Sequence, residues 1–513
     1  MKYKKLICMI IIFVLSAAYN FPIIKDTINV HDEGLILAGA DRILKGHLPY
    51  LDFWSIYPPG QFYTIAFLFK LFGSSVLVER IYDIMVKSLI STFSFLITRK
   101  LGFSNRVALI SWGMSLIWIN FSGFAAYPVY AAILFIYIGV YFFLHHTENN
   151  RVHWLIYSGI FMTLGTIFRH DLGGMAAVVI LITLFLRKLM DTKTPWYQIY
   201  YYIFAVLLAG LPISIYLIHT VGIKLILNHL ILTPADITPK YRWLPYPSSI
   251  SLDTTQFFVF PCILLIGFVT SLALIIKHKT HSKLSYGMFL LSSMGIFFIN
   301  QVRVRSDNIH LLPVALVSIT IIPCLFSLML PSLNKLTPKA RWVVVFLFLV
   351  VISTPFIKPF ESKIKSFNSD YFMLPNRSAI DRAGYSKVAM DLQDLLLYIQ
   401  NNTTENEAIY VGVKNHDQFI YNDPIIYYLA DRKYATKYHE LHAGITNTSS
   451  IQIEIIDELE KSFVRMVILA LRYFYEPNQT KIDSNIDLLD DYISTNYEII
   501  KRFGKYEVWV RRS

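Results

Sequence analysis

The sequence predicts a multi-span α-helical membrane protein of about eleven transmembrane helices, with a C-terminal extracytoplasmic α/β domain. Three observations predict it. Of 513 residues, 55% are hydrophobic and only 16% are charged, and the mean hydropathy is +0.47. A soluble chain of this length carries more charge. Apolar runs close to the ~20 residues that cross a bilayer recur through the first 360 positions. Beyond Phe360 the pattern changes to short strands and amphipathic helices.

The spans fall at 6–24, 76–98, 106–122, 126–144, 154–168, 172–186, 197–219, 255–276, 284–300, 308–330 and 341–358. The basic start, Met1-Lys2-Tyr3-Lys4-Lys5, resembles a signal peptide. No small-residue cleavage site follows, so the first span is expected to remain. Residues 60–73 are apolar but short, and are expected to lie at the membrane interface. Cys8, Cys262 and Cys324 lie in apolar runs without CxxC spacing, which argues against zinc or a disulfide framework.

Loop charges set the orientation. Lys2, Lys4, Lys5, Arg99, Lys100, Arg106, Arg151, Arg187, Lys188, Lys193, Lys277, Lys279, Lys283, Lys335, Lys339 and Arg341 gather on one side, with only Glu148 and Asp191 as acids. Such a bias marks the cytoplasmic face. It also accounts for the net charge of +12 without a nucleic-acid partner. The opposite face receives loop 25–58, the triplet Arg169-His170-Asp171, the long loop 220–254, and Arg303, Arg305, Asp307 and His310.

The membrane domain is expected over 1–360, a linker over 361–384 and the α/β domain over 385–513. Residues 408–413, 464–470 and 506–510 read as strands, and 386–400, 450–461 and 485–496 as helices. No glycine-rich phosphate loop opens any of these helices.

The mixed charges on the outer face are the candidate chemistry. Asp32 and Glu33 follow the first span directly, and Ile36, Ala40, Ile43 and Leu44 after them share a helix face. That helix is expected to lie on the membrane surface, its dipole favouring both carboxylates. Helix capping explains one acid but not the pair. Arginine suits phosphate through its fork of donors, which singles out Arg169, Arg303 and Arg305, although each can also pair with Asp171 or Asp307. Glu79, Asp83 and Lys87 share one face of the second span, where mutual ion pairing accounts for them.

The stretch from His31-Asp32-Glu33-Gly34 through Ile43-Leu44-Lys45-Gly46 to Tyr57-Pro58-Pro59-Gly60 resembles the first external loop of the glycosyltransferase C superfamily. Within it, the chain is similar to the bacterial branch near protein mannosyltransferases and lipid A aminoarabinose transferases. The resemblance is sharp over 31–60 and architectural over about 5–330. It implies a membrane enzyme that takes a sugar from a polyprenyl-phosphate carrier at the extracytoplasmic face. The acceptor would be a lipid, a glycan or a protein. One departure stands out: the aminoarabinose transferases have Lys-Pro-Pro where this chain has Tyr57-Pro58-Pro59.

On that reading Asp32 takes the acceptor proton, with Glu33 assisting or holding a divalent metal for which no ligand set is legible. Arg169, Asp171, Arg303, Arg305, Asp307, His310 and Tyr57 are the substrate-binding candidates, and in-line attack inverts the anomeric carbon. The competing expectation is a transporter or lipid flippase. Intramembrane acids suit it, but the paired interrupted helices of two repeated halves are not found.

Overall fold

A computed structural model describes residues 2–512 except 122, 279–282, 368–369, 472–477 and 479–482. Lys279 of the basic face therefore lies outside the described residues. Each expected span is a helix. Among the described residues nine helices are long and apolar enough to cross a membrane, and Asn105–Ile119 and Val152–Phe168 are shorter, at 15 and 17 residues.

Helices Val76–Lys100, Pro128–Asn149, Lys283–Val304 and Asn308–Leu333 form the interior of the bundle, and Lys2–Asn20, Tyr197–Thr220 and Pro338–Ser366 its rim. The hydroxyls of Ser94 and Tyr137 meet Thr320 at 3.1 and 3.2 Å, so polar groups inside are shared between helices. Helix starts are capped locally. Ser75 Oγ accepts from the Leu77 amide, and Asp307 Oδ1 accepts from the His310 amide.

The C-terminal region holds a five-stranded sheet. Its strands are β1 (Ala408–Val413), β2 (Lys433–Tyr434), β3 (Met466–Ala470), β4 (Tyr497–Phe503) and β5 (Tyr506–Arg511), ordered β2-β1-β3-β5-β4. β1 is parallel to β2 and β3, whereas β5 is antiparallel to β3 and β4. Strands β2 and β4 are additions to the expected pattern. β2 spans only two residues, and β4 places Glu498, Ile499, Ile500 and Lys501 in solvent, so neither shows apolar alternation.

The sheet does not form a core alone. Ile36, Leu37 and Ala40 of helix Asp32–Leu44, with Phe53, Phe62 and Ile65, pack against Leu395, Ile399, Ile409, Val411, Ile426 and Val508. Helix Asp32–Leu44 is therefore buried between the membrane bundle and the sheet, not laid on the membrane surface as expected. Leu35, Ile36, Leu37, Ala38 and Ala40 cover most of its circumference with apolar groups, and such a helix needs cover all round. Two glycines set the closeness. A Cβ at Gly34 would lie 2.5 Å from the Ile425 backbone nitrogen, and one at Gly60 would lie 2.7 Å from the Ile167 carbonyl oxygen. The first docks the sheet region beside Asp32, and the second docks helix Gly60–Phe72 beside Arg169.

Candidate active site

Two adjoining chambers lie where the bundle, the first loop and the sheet region meet. The smaller, about 190 Å³, is lined by Asp32, Tyr57, Tyr127, Arg242, Arg305 and Glu440 among others. The larger, about 400 Å³, reaches Arg169, Asp171, Gln301, Leu230 and Pro234. Ile56, Tyr57, Tyr127, Thr238, Arg305 and His310 border both.

Asp32 begins its helix immediately after the turn that follows the first span. Asn29 Oδ1 accepts from the Asp32 amide (2.9 Å), and Asn29 Nδ2 donates to Asp32 Oδ2 (3.2 Å). Burial pushes the Asp32 carboxyl above the usual range, opposed by the Asn29 bond and by Arg242 and Arg305. The His31 ring lies 3.9 Å from that of Tyr421 between centroids, tilted by 33°, and its Nδ1 pairs with the Asn422 carbonyl at 3.0 Å.

Glu33 does not line either chamber. Arg80 Nε donates to Glu33 Oε1 (2.8 Å) and Nη2 to Oε2 (3.0 Å), and both side chains are 1% exposed. Arg80 Nη1 also donates to the Ile23 and Asp26 carbonyls. The two adjacent acids thus face different ways, as neighbours on a helix must. They do not form a two-carboxylate metal site, and among the described residues no three His, Cys, Asp or Glu side chains gather as metal ligands. Of the acids in the second span, Asp83 pairs with Lys87 at 2.8 Å, while both Glu79 carboxylate oxygens are buried without a hydrogen-bond partner among the described residues.

The arginines divide likewise. Arg169 grips Asp171 through Nε (3.0 Å) and Nη2 (2.8 Å), and Gln301 Nε2 donates to the same carboxylate (2.7 Å). Arg305 Nε donates to Asp307 Oδ2 and Nη1 to the Arg242 carbonyl, both at 2.8 Å. His310 Nδ1 lies 2.6 Å from Asp307 Oδ1, and despite its burial these bonds and charges draw the Asp307 carboxyl down to about 2. Arg303 is exposed, lines neither chamber and bonds Asn300. Arg303, expected beside Arg305 as a phosphate candidate, is turned away because the helix continues to Val304. Helical spacing sets Gln301 and Arg305 on one side and Arg303 on the other.

The structure adds Tyr127, Arg242, Glu440 and His442, which the pattern did not reveal. Tyr57 OH meets Tyr127 OH at 2.5 Å, and burial pushes the Tyr57 phenol up to about 12. The Arg242 guanidinium lies 5.1 Å from the Tyr421 ring centre. Glu440 and His442 enter from the sheet region. Glu440 is 3% exposed, and its Oε2 has no hydrogen-bond partner among the described residues. Burial, then the Asp32 charge, pushes its carboxyl up to about 8, with Arg242 opposing. Burial and Arg242 push His442 down to about 3. The dense run Tyr438-His439-Glu440-Leu441-His442 was the one available signal.

Residues 57–218 match the family described as dolichyl-phosphate-mannose-protein mannosyltransferase. Among curated proteins, no sequence matches the chain. Among solved structures, ArnT from Cupriavidus metallidurans bound to undecaprenyl phosphate superposes with a TM-score of 0.56 at 11% identity, covering 100% of this chain and 99% of that one. Its apo state gives 0.56 at 12% identity, over 99% and 98%. The resemblance read from the first loop therefore holds: this is a multi-pass membrane protein with the glycosyltransferase C fold, matching the mannosyltransferase family over residues 57–218 and similar to ArnT from end to end.

Proposed function

We propose that the protein transfers a sugar from a polyprenyl-phosphate carrier to an acceptor at the extracytoplasmic face. The observation that carries this reading is the junction of the two chambers. It sets two carboxyl groups, Asp32 and Glu440, in the smaller chamber, Arg305 at the border of the two, and Arg169 in the larger one. ArnT, of the same fold, has been crystallised with undecaprenyl phosphate, which supports a carrier of that class.

In this mechanism Asp32 accepts the proton of the acceptor hydroxyl as the oxygen attacks the anomeric carbon. The carrier phosphate leaves on the opposite side, so the configuration inverts. Arg305 and Arg169 stabilise the charge that develops on that phosphate. Their present partners, Asp307 and Asp171, hold the guanidinium forks in place before the donor arrives. Neutral Glu440 donates a hydrogen bond within the same chamber, and the Tyr57–Tyr127 pair orients the sugar. The lysine and arginine bias of the loops supports an extracytoplasmic location for this chemistry.

Asp32→Asn is the test. Asparagine keeps the shape of aspartate but cannot take the proton. The purified variant should bind a polyprenyl-phosphate sugar normally and turn over at least ~100-fold more slowly. Wild-type turnover would remove Asp32 as the base. Absence of transfer by the wild type across a panel of donors would leave transport as the better reading.

A further inference from the structure

A third cavity, of about 510 Å³, lies behind the smaller chamber. Its size is within the roughly 300–1,000 Å³ of ligand pockets. Three pieces of chain frame it: loop residues Tyr50, Leu51 and Trp54, strap residues 225–233, and 437–454 of the sheet region. They are fastened together. The Trp54 amide donates to the Lys437 carbonyl (3.1 Å), and His229 Nδ1 meets the Ser55 carbonyl (3.1 Å).

One short segment forms the wall between this cavity and the candidate active site. Glu440, His442 and Ala443 face the site, whereas Lys437, Tyr438, Gly444 and Ile445 face the third cavity. Trp54 stands at the boundary, its ring 5.3 Å from that of His442.

We propose that this cavity holds a saccharide portion of the acceptor. The proposal rests on the glycosyltransferase reading above and names its acceptor class. The lining suits carbohydrate on two counts. Trp54, Tyr50, Tyr438 and His229 supply ring surfaces of the kind on which the C–H faces of sugars stack. The Trp54 indole N–H, the Asn228 amide and the Thr233 hydroxyl line the cavity with no hydrogen bond spent among the described residues, and Trp54 is 6% exposed.

The charge balance favours a neutral ligand. Lys437 and Glu454 pair with each other, so the pocket offers no surplus cation to a phosphate. An extended peptide would need a sheet edge to pair with, and the nearby edge strand β2 has two residues.

The test uses the full-length protein in lipid nanodiscs. Its probes are mannotriose, maltotriose and triacetylchitotriose, followed by saturation-transfer NMR. Undecaprenyl phosphate binding is measured on the same samples. At least one trisaccharide should bind the wild type. Thr233→Trp, which fills the cavity, should abolish that signal, and Asn228→Ala, at an exposed position, should weaken it at least threefold. Should Thr233→Trp also disturb the carrier site, Asn228→Ala decides. Binding by none of the three sugars, undiminished binding in Asn228→Ala, or displacement of the sugar by a serine-rich pentapeptide would overturn the proposal. Sugar binding without carrier binding would uphold the saccharide site and sink the transferase reading, so the two failures are distinguishable.

Discussion

Glu440→Gln separates a neutral carboxyl from an ionised one. The folded protein moves this carboxyl from 4.5 to about 8, a preference for the neutral form of about 5 kcal/mol. At pH 7 roughly nine molecules in ten then hold the proton. The sign follows from linkage. The unfolded chain releases this proton near 4.5 and the folded one near 8. The stability it contributes is therefore full below the lower value and falls by about 1.4 kcal/mol per pH unit up to the higher one.

Ionisation would also add a second negative charge beside Asp32 and oppose an incoming phosphate. Glutamine keeps a neutral donor in place at every pH. Transfer rate and melting temperature of wild type and Glu440→Gln, measured from pH 5 to pH 10, should agree within about threefold and a few degrees at pH 6. Between pH 5 and about 8 the wild type should lose stability, and through pH 8 it should lose rate as Glu440 ionises, while the variant holds both. Superimposable pH profiles would refute the reasoning. So would a ~100-fold loss at pH 6, because it would show that Glu440 works as the charged group.

Arg169→Ala and Arg305→Ala should each weaken use of the lipid-linked donor by ~1.5–3 kcal/mol, about 10- to 150-fold in kcat/KM, while Arg303→Ala stays near wild type. Equal losses in all three, measured by donor titration, would reject the division of the arginines. Gly34→Val places atoms against the Ile425 backbone nitrogen and should cost at least ~1–3 kcal/mol of docking, seen as faster amide exchange over 425–430. Unchanged exchange would mean that the contact gives way freely. For orientation, a single cysteine at position 450 should react with an impermeant reagent in intact cells, and reaction only after lysis would invert the topology.

The membrane half was legible because span length and loop charge are set by the bilayer itself. Asp32, Tyr57, Arg169, Asp171, Arg305, Asp307 and His310 were legible because ionisable groups at span ends stand out against apolar surroundings, and all seven line the two chambers. Glu33 was misplaced because sequence shows adjacency and not direction. Its direction is fixed by Arg80, 47 positions away. Glu440 was missed because a carboxylate in a charged, soluble-looking segment carries no contrast. Strand β2 was missed because two residues have no period to read.

The burial of helix Asp32–Leu44 against the sheet region has a consequence for biosynthesis. Gly34 leaves the ribosome about 390 residues before its contact Ile425. At ~5–20 residues per second that interval is roughly 20–80 s. Throughout it the Asp32 loop lacks the surface that seats it, and the chamber shared with Glu440 does not exist. Chain order alone thus keeps the chamber unassembled until the sheet region closes over the Asp32 loop.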